Sequence, residues 1–499
     1  MTDQKVYDVL IVGSGVAGLY GALQLPENIS VLLLSKYDRT TSSSNLAQGG
    51  VAAVLSFEDD SFDLHKKDTF IAGRNENDPT AVDILVHEGP DDVRHLMELG
   101  VRFDRGDDGE PDKTLEGGHS RRRIVHYQDR TGAELVRGLF CETEKRKNIT
   151  YCENTVLCKL SKAENGFRAD LLTETGPAAV FCSCCILCTG GIGRVYQYTT
   201  NPKSATGDGI RFAYELGAEI KNISYIQFHP TAFDSPDGEQ FLISESVRGE
   251  GAYLLNAKYE RFMHLYDPRL ELAPRDVVSE AMMQEAKRVG DRHFYLDIRH
   301  EDADFLRARF PEINRGCLAH GIDFTKDLIP VYPCHHYLMG GILVDTNART
   351  TVEGLYACGE CSNTGVHGKN RLASNSLLEA LVYSRRAARD IAVRLASGRP
   401  KAVPDGVQPD FDGEPLPSGI PEQLRALMQE AYFVTPNKSS LPGACEKARA
   451  ILKQLTEKKY AVTTAYTEAL SLATVAVLVL QDAVADAEAA AVASAAASN

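Results

Sequence analysis

A glycine-rich turn near the start of the chain constrains the fold more than any other feature. The apolar run of residues 9–12 leads into the motif GSGVAG at residues 13–18, and a helical pattern follows over residues 19–25. In such a turn the first glycine permits a tight bend, the second lets a pyrophosphate approach the backbone, and the third lets the helix pack on the strand. The helix then directs its positive N-terminal end at the phosphates. This order of strand, glycine motif and helix predicts an α/β domain that binds a dinucleotide.

Later segments help to choose between a nicotinamide and a flavin dinucleotide. The second predicted strand, residues 31–34, ends in Ser35 and Lys36, where an acidic residue for the adenosine ribose is expected in nicotinamide enzymes. Residues 186–191 and 355–360 are further strands that run into glycines, and the last one ends in Glu360. A carboxylate there can hold a ribitol hydroxyl, which favours FAD. The alternative is that these glycines only form tight turns, but the occurrence of three such segments in order makes that interpretation less favoured.

Size and charge narrow the class of protein. The 499 residues suffice for two to four domains, and the net charge of −15 argues against nucleic acid or an anionic membrane as a partner. The first residues have no basic region and no apolar core, so no signal peptide is expected. The most apolar stretch, residues 469–480, is shorter than the ~20 residues of a membrane span and is predicted to be a buried helix. We therefore expect a cytoplasmic protein.

The 12 cysteines are predicted to be reduced thiols. Four of them, at residues 182, 184, 185 and 188, lie on or beside one predicted strand. Alternate residues of a strand point to opposite faces, so buried thiols are favoured over a zinc site, and no metal is predicted. Cys358 and Cys361 form a CxxC motif. A redox pair is possible there, but buried thiols are the favoured interpretation because the segment is already committed to a glycine turn.

The pattern along the chain predicts a discontinuous Rossmann-like α/β domain with an insertion. Residues 1–222 alternate strands and helices, residues 223–337 are polar and arginine-rich, and residues 338–407 return to the first domain. The insertion is expected to be α+β. Residues 402–421 are rich in Pro, Gly and Asp and are predicted to be a linker, and residues 408–499 are predicted to form a C-terminal helical domain. Its end, residues 483–498, is mostly alanine and is predicted to be a solvent-exposed or fraying helix.

Six further segments occur in a characteristic order. They are TSSSNLAQGG at residues 41–50, QFHPT at 227–231, RGEG at 248–251, APRD at 273–276, HY at 336–337 and NRLASNSL at 370–377. On these motifs the chain resembles the flavoprotein family of succinate dehydrogenases and fumarate reductases, over about residues 6–390. The resemblance implies an FAD domain, an inserted capping domain that is mobile, and a site for a dicarboxylate between them.

The resemblance also implies how FAD is held. Membrane-type relatives attach the flavin covalently to a histidine, and this chain has Ser43 at that position, so non-covalent FAD is expected. The implied cofactor-binding residues are Gly13, Ser14, Gly15, Val16, Ala17, Gly18, Lys36, Ser43, Ser44, Asn45, Leu46, Ala47, Gln48, Gly49, Gly50, Asp208, Glu360, Asn375, Ser376 and Leu377.

Charged and polar residues within the same motifs match the family's dicarboxylate site. Each carboxylate of such a substrate favours charge-assisted donors, above all arginine. The implied substrate-binding residues are Glu116, Gln227, His229, Ser244, His336 and Arg371. In the fumarate-reducing direction of the family, an arginine protonates the substrate. Arg275 matches that arginine, and Glu245 and Arg248 match its proton relay, so these three are the implied catalytic residues.

Glu116 separates two interpretations of the substrate. Fumarate reductases resemble one another in having phenylalanine here, and a carboxylate would repel a dianion unless the substrate also carries a cation. The resemblance therefore implies FAD-dependent oxidation of L-aspartate to iminoaspartate. The resemblance further implies oxygen or fumarate as the electron acceptor, and transfer of the product to quinolinate synthase in NAD biosynthesis. A soluble fumarate reductase or succinate dehydrogenase flavoprotein is the alternative function. Glu116 could also be a solvated loop residue.

A catalytically silent FAD-binding sensor is a third interpretation, although the complete set of charged site residues argues against it. The resemblance also weakens near the C-terminus, where relatives carry a Glu-Ser-Arg-Gly segment and this chain reads DAVA at residues 482–485. That departure concerns the packing of the last domain rather than the chemistry.

Overall fold

A computed structural model describes residues 5–235, 240–398 and 400–497, with side chains through residue 493. The strands, in chain order, are β1 (Lys5–Val12), β2 (Val31–Leu34), β3 (Val51–Ala52), β4 (Lys113–Thr114), β5 (Ile124–Val125), β6 (Ile149–Cys152), β7 (Val156–Ala163), β8 (Gly166–Thr173), β9 (Gly176–Leu187), β10 (Ile220–Lys221), β11 (Ile226–Phe233), β12 (Tyr253–Leu255), β13 (Phe294–Asp297), β14 (Ile329–Leu338), β15 (Gly341–Leu343), β16 (Leu355–Ala357) and β17 (Ser362–Asn363).

Helices cover both faces of the main sheet or form the later domains. In chain order they are α1 (Val16–Gln24), α2 (Phe62–Ala72), α3 (Pro79–Glu98), α4 (Thr131–Thr143), α5 (Asp208–Glu215), α6 (Glu245–Gly249), α7 (Arg275–Val289), α8 (Ala303–Arg309), α9 (Pro311–Ala319), α10 (Asn375–Ala396), α11 (Ile420–Ala431), α12 (Leu441–Glu457) and α13 (Thr464–Ala497). Helix α1 begins three residues before the predicted start at residue 19, because Gly15 occupies its N-terminal cap position.

The main sheet has the order β6-β2-β1-β9-β8-β7, and β16 also pairs with β9. Strands β6, β2, β1, β9 and β16 run parallel, whereas β7, β8 and β9 form an antiparallel meander. Strand β9 is long enough to pair with β1 along one edge and with β8 and then β16 along the other. Because β16 adds to this sheet after the whole insertion, the domain is discontinuous, as the sequence predicts.

Alternation along the parallel strands explains why the sheet is buried on both faces. Leu10 and Leu32 belong to one hydrophobic core, whereas Val9 and Val31 belong to the other. The second core contains α1, α3, α4 and α10, and α1 packs directly on α10. Parallel sheets covered on both faces carry such continuous apolar strands.

The insertion is built on a separate antiparallel sheet. Its strand order is β11-β14-β13-β12, and helices α6 to α9 lie between these strands in sequence. All four strands fall between residues 226 and 338. The mixture of helices and an antiparallel sheet is the α+β arrangement expected there, while the domain boundaries at residues 223 and 337 stay a prediction.

The C-terminal segment contains α11, α12 and the long helix α13. The apolar run of residues 469–480 lies within α13, and Ala469, Ala473 and Leu480 have no exposed surface. The expectation that this apolar segment is too short for a membrane span is wrong, because the helix continues on both sides of residues 469–480. Residues 464–493 form a helix long and apolar enough to cross a membrane, but 61% of its most apolar part is buried inside the protein. The alanine-rich end is helical through Ala497 and exposed over residues 488–493.

The cysteines of the two groups are buried and form no disulfide. The Cys361 thiol donates to the Leu187 carbonyl at 3.2 Å, and the Cys358 thiol donates to the Tyr383 carbonyl at 3.7 Å. Burial raises the pKa of the Cys361 thiol to about 12. A thiol of this kind is a poor nucleophile, which supports the favoured interpretation of buried structural thiols.

Candidate active site

A cavity of about 390 Å³ extends from the glycine turn after β1 to the inserted domain. Its wall includes the turn after β1, the loop at residues 41–50, the end of β16 and the first residues of α10. These segments follow the carboxyl ends of parallel strands, where ligands bind in open α/β sheets. The cavity thus joins the predicted cofactor motifs to the predicted substrate residues.

The glycine turn has the geometry that its motif requires. Gly13 has a φ of +111°, and a Cβ atom there would lie 2.2 Å from the Cys188 carbonyl oxygen. A Cβ atom on Gly18 would lie 1.8 Å from the Gly13 carbonyl oxygen, so that helix and strand pack without a side chain between them. Gly13 and Gly15 line the cavity at the start of α1. The open backbone and the positive helix end suit a pyrophosphate.

A second helix begins on the same cavity. Helix α10 starts after Ser374, which has a φ of +61°, and Ser376 and Leu377 line the cavity. Glu360 faces it from the end of β16, and burial raises the pKa of this carboxyl to about 7. Two helix N-termini and a carboxylate along one cavity fit a flavin dinucleotide, whose pyrophosphate and ribitol need such partners. The residues present therefore fit FAD.

At the end of β2, where nicotinamide enzymes have an acidic residue for the adenosine ribose, this chain has Lys36. The Lys36 ammonium lies 2.8 Å from Asp208 of α5 and 2.8 Å from Glu468 of α13. The Tyr37 hydroxyl also donates to Glu468, at 2.9 Å. Asp208 lines the cavity beside Lys36, so a carboxylate does face this end, although it comes from another part of the chain. The sequence contains no local signal for Glu468.

Most of the implied cofactor residues lie on the cavity wall. The exceptions are Val16, Gly18, Asn45 and Asn375. The Val16 backbone N–H is instead bonded to the Ser44 hydroxyl at 3.1 Å, which fixes the loop against α1. Wall residues that were not predicted include Thr155, Thr189, Asn201 and Tyr337.

Some of the implied substrate and catalytic residues line the cavity, and the others lie behind that wall. Those on the cavity wall are Glu116, Ser244, Glu245, Arg275, His336 and Arg371. Gln227, His229 and Arg248 are nearly or fully buried and lie behind them. The structure thus brings all nine residues to one end of the cavity, with three of them contacting other side chains rather than the open space.

Arg275, Glu245 and Arg248 form a continuous chain of ion pairs. Arg275 donates from Nε to Glu245 at 2.7 Å, and Arg248 donates from Nη2 to the other oxygen of Glu245 at 3.0 Å. Burial alone would raise the pKa of the Glu245 carboxyl, but the two arginines hold it below its usual value. Burial lowers the pKa of Arg248. A proton can therefore pass along three groups in direct contact.

Arg371 is positioned by contacts on three sides. It donates from Nη1 to the Ser376 hydroxyl and from Nη2 to the Gln227 amide oxygen, and its guanidinium carbon lies 4.2 Å from the centre of the Tyr337 ring. Burial and the nearby Arg275 charge lower its pKa to about 10. Arg371 is still cationic at neutral pH and suits a carboxylate.

The two histidines are neutral hydrogen-bonding groups. Their ring centres are 5.0 Å apart, and burial lowers the pKa of both His229 and His336 well below the usual value. The Thr231 backbone N–H donates to Nδ1 of His229 at 3.1 Å. Nδ1 is therefore the acceptor, so Nε2 carries the proton, and that buried nitrogen has no partner among the described residues. Nε2 of His229 is available as a donor.

Glu116 lies on the wall close to the start of α10. Its carboxylate accepts a hydrogen bond from the Ser374 hydroxyl at 2.6 Å, and the residue is only 8% exposed. Burial raises the pKa of Glu116, while Ser374 and Arg275 oppose this effect. The alternative of a solvated loop glutamate is wrong, because the loop turns this side chain into the cavity.

Comparison with known proteins agrees with this geometry. The FAD binding domain family matches residues 8–377. L-aspartate oxidase of Pseudomonas aeruginosa is 39% identical over 97% of this chain and 94% of its own length. L-aspartate oxidase of Clostridium acetobutylicum is 46% identical over 77% of this chain and 87% of its own.

Solved structures with the same fold include E. coli quinol fumarate reductase FrdA in a mutant form, with a TM-score of 0.85 and 29% identity. That match covers 96% of this chain and 88% of the other. A quinol-fumarate reductase with menaquinol molecules has a TM-score of 0.86 and 28% identity, over 97% and 90% of the two chains. The predicted fold class and cofactor are confirmed, and the chain belongs to the L-aspartate oxidases within the FAD binding domain family.

Proposed function

We propose that this chain uses FAD to oxidise L-aspartate to iminoaspartate. Bound FAD would supply a hydride acceptor for aspartate oxidation and, once reduced, the hydride donor for fumarate reduction. The observation that carries the proposal is the buried Glu116 carboxylate on the same wall as Arg275 and Arg371. Two arginines suit two carboxylates, and a carboxylate suits an ammonium group, so this wall is complementary to an amino dicarboxylate.

The wall residues have distinct roles in this proposal. Arg371, His336 and Ser244 bind the substrate carboxylates, with the His229 Nε2 proton available behind them. Glu116 binds the α-ammonium group, and its hydrogen bond from Ser374 keeps the carboxylate oriented.

Arg275 moves a proton when fumarate is the substrate. Its guanidinium donates a proton to the substrate carbon, and Glu245 and Arg248 return a proton to it through the ion-pair chain. A group with so high a pKa acts as an acid only if a relay restores its proton. The direct contacts in this chain support that role.

We also propose that oxygen or fumarate serves as the electron acceptor and that iminoaspartate passes to quinolinate synthase in the cytoplasm. Residues 223–337 act as the cap over the FAD domain. A fumarate reductase or succinate dehydrogenase role is the second candidate, favoured by the structural likeness to fumarate reductases. Glu116 argues against it.

The proposed function can be tested by comparing which compounds reduce the flavin. Under anaerobic conditions we expect L-aspartate to bleach the yellow protein, and D-aspartate and succinate to do so far more slowly. Succinate lacks the ammonium group, and D-aspartate has the opposite configuration at Cα, so it cannot place its ammonium and both carboxylates against the same three partners. Absorbance of the flavin after rapid mixing measures all three rates. Bleaching by succinate alone would support the second candidate, and bleaching by none of the three would support a silent FAD-binding protein.

Ser43 predicts that the flavin is bound non-covalently. Its side chain lines the cavity, and a serine hydroxyl offers no histidine nitrogen for the covalent bond found in membrane-type relatives. Acid precipitation should therefore release all FAD into the supernatant, where absorbance measures it. Yellow colour that stays with the washed pellet would contradict non-covalent binding.

A further inference from the structure

Gln227, one of the implied substrate ligands, connects the two arginines of the site. Its Oε1 atom accepts a hydrogen bond from Nη1 of Arg275 at 3.0 Å and another from Nη2 of Arg371 at 3.2 Å. The residue is 2% exposed and lies behind the cavity wall. One neutral oxygen is thus shared by two guanidinium groups.

The other end of the amide fixes its orientation. Nε2 of Gln227 donates to Oδ1 of Asn370 at 2.7 Å and to the Arg371 backbone carbonyl at 2.8 Å. The backbone carbonyl can only accept, so the NH₂ group must face it and the amide oxygen must face the arginines. Asn370 in turn donates from Nδ2 to Asp276, the residue after Arg275, at 3.4 Å. Two neutral amides therefore tie both arginine segments together.

A neutral acceptor suits the electrostatics of this position. Arg275 and Arg371 repel one another, and the Arg275 charge contributes to the lowered pKa of Arg371. A carboxylate at residue 227 would attract both groups, but it would cancel one positive charge that a dianionic substrate needs. An apolar side chain would leave the two guanidinium groups to repel one another with no shared acceptor between them. Only a neutral acceptor holds both groups without reducing the positive charge of the site.

We propose that Gln227 is a positioning residue that sets the spacing of Arg275 and Arg371 while leaving both charges available to the substrate. This inference rests on the proposed function, which assigns the two arginines to a dicarboxylate. Gln227 lies on β11 of the inserted sheet, and Arg371 precedes α10 of the FAD domain. Because the shared oxygen belongs to the inserted sheet, the distance between the two arginines also depends on the position of that sheet relative to the FAD domain.

Two substitutions test separately whether residue 227 must accept hydrogen bonds and whether it must be neutral. Gln227→Met removes the shared acceptor and should lower kcat for L-aspartate by about 10- to 150-fold, the range for hydrogen bonds to charged groups. Gln227→Glu keeps an acceptor and adds a negative charge. It should raise the dissociation constant of succinate by about 10-fold more than that of succinamate, which has one carboxylate fewer. Perturbation of the flavin spectrum of the holoenzyme measures both constants.

Asn363→Leu is the matched control. Asn363 is a buried amide, 4% exposed, that donates to the Lys221 carbonyl away from the cavity wall. Its replacement should lower the denaturation temperature and leave kcat and both dissociation constants native.

Native kcat in Gln227→Met would overturn the proposal, and so would equal losses of succinate and succinamate binding in Gln227→Glu. If one variant fails to fold, the other still decides the matter. Succinate binding requires no aspartate turnover, so a native protein that binds succinate without oxidising aspartate would refute the proposed function alone.

Discussion

Replacing Arg275 by lysine is expected to lower the rate of fumarate reduction by roughly 10²- to 10⁴-fold, the contribution typical of a positioned general acid. Arg275 uses Nε for Glu245 and Nη1 for Gln227, which directs the planar group at the cavity. Lysine has one nitrogen and cannot hold both partners while donating to the substrate. Dicarboxylate binding should persist, because the positive charge remains. Steady-state kinetics with fumarate and titration with succinate measure the two effects.

Arg288→Lys is the control for Arg275→Lys. Arg288 lies on the same helix, α7, away from the cavity wall; its side chain is 51% exposed and pairs with the buried carboxylate of Glu285. This control should reduce fumarate at the native rate. A loss of only a few-fold in Arg275→Lys would mean that another residue delivers the proton.

Glu116→Gln is expected to separate the two activities. The ammonium of L-aspartate loses a charged hydrogen bond worth roughly 1.5–3 kcal/mol, so kcat/KM for aspartate should fall about 10- to 150-fold. Glutamine keeps the length of the side chain and an oxygen for the Ser374 hydroxyl. Fumarate carries no ammonium and is repelled by the native carboxylate, so fumarate reduction should be unchanged or faster. Kinetics with both substrates on one purified variant measure the difference.

Glu110→Gln provides the comparison for Glu116→Gln, because Glu110 is exposed and close in sequence but does not line the cavity. Both of its activities should be native. If Glu116→Gln instead lost both activities together, Glu116 would have a structural role and the argument for aspartate over fumarate would lose its main residue.

Local patterns predicted the glycine turn and the sheet that carries it. The glycine turn after β1 needs only neighbouring residues to specify its shape, because a positive φ at Gly13 and close packing at Gly18 are set by the absence of side chains. The apolar runs of β1, β2, β9 and β16 similarly indicate a sheet buried on both faces. These features could be predicted because their causes lie within a few residues.

Contacts between distant segments could not be predicted from local patterns. Tyr37 and Glu468 are 431 residues apart in sequence and share a hydrogen bond beside the cavity. The placement of Gln227 behind the wall, as a partner of arginines rather than a wall residue, likewise depends on how β11 packs against the loop before α10. Nothing in the sequence of α13 indicated that Glu468, in its first turns, contacts Lys36 and Tyr37 on the cavity wall.

The sequence by itself determined the α/β class, the discontinuous cofactor domain, FAD and the residue types of a dicarboxylate site. Tertiary structure alone decided which of those residues face the cavity and which support them. Glu116 and Ser374 are 258 residues apart, yet their contact orients the carboxylate proposed to recognise the ammonium. The physical reason is that side-chain chemistry is encoded residue by residue, whereas burial, pKa and contact depend on chain segments that meet only after folding.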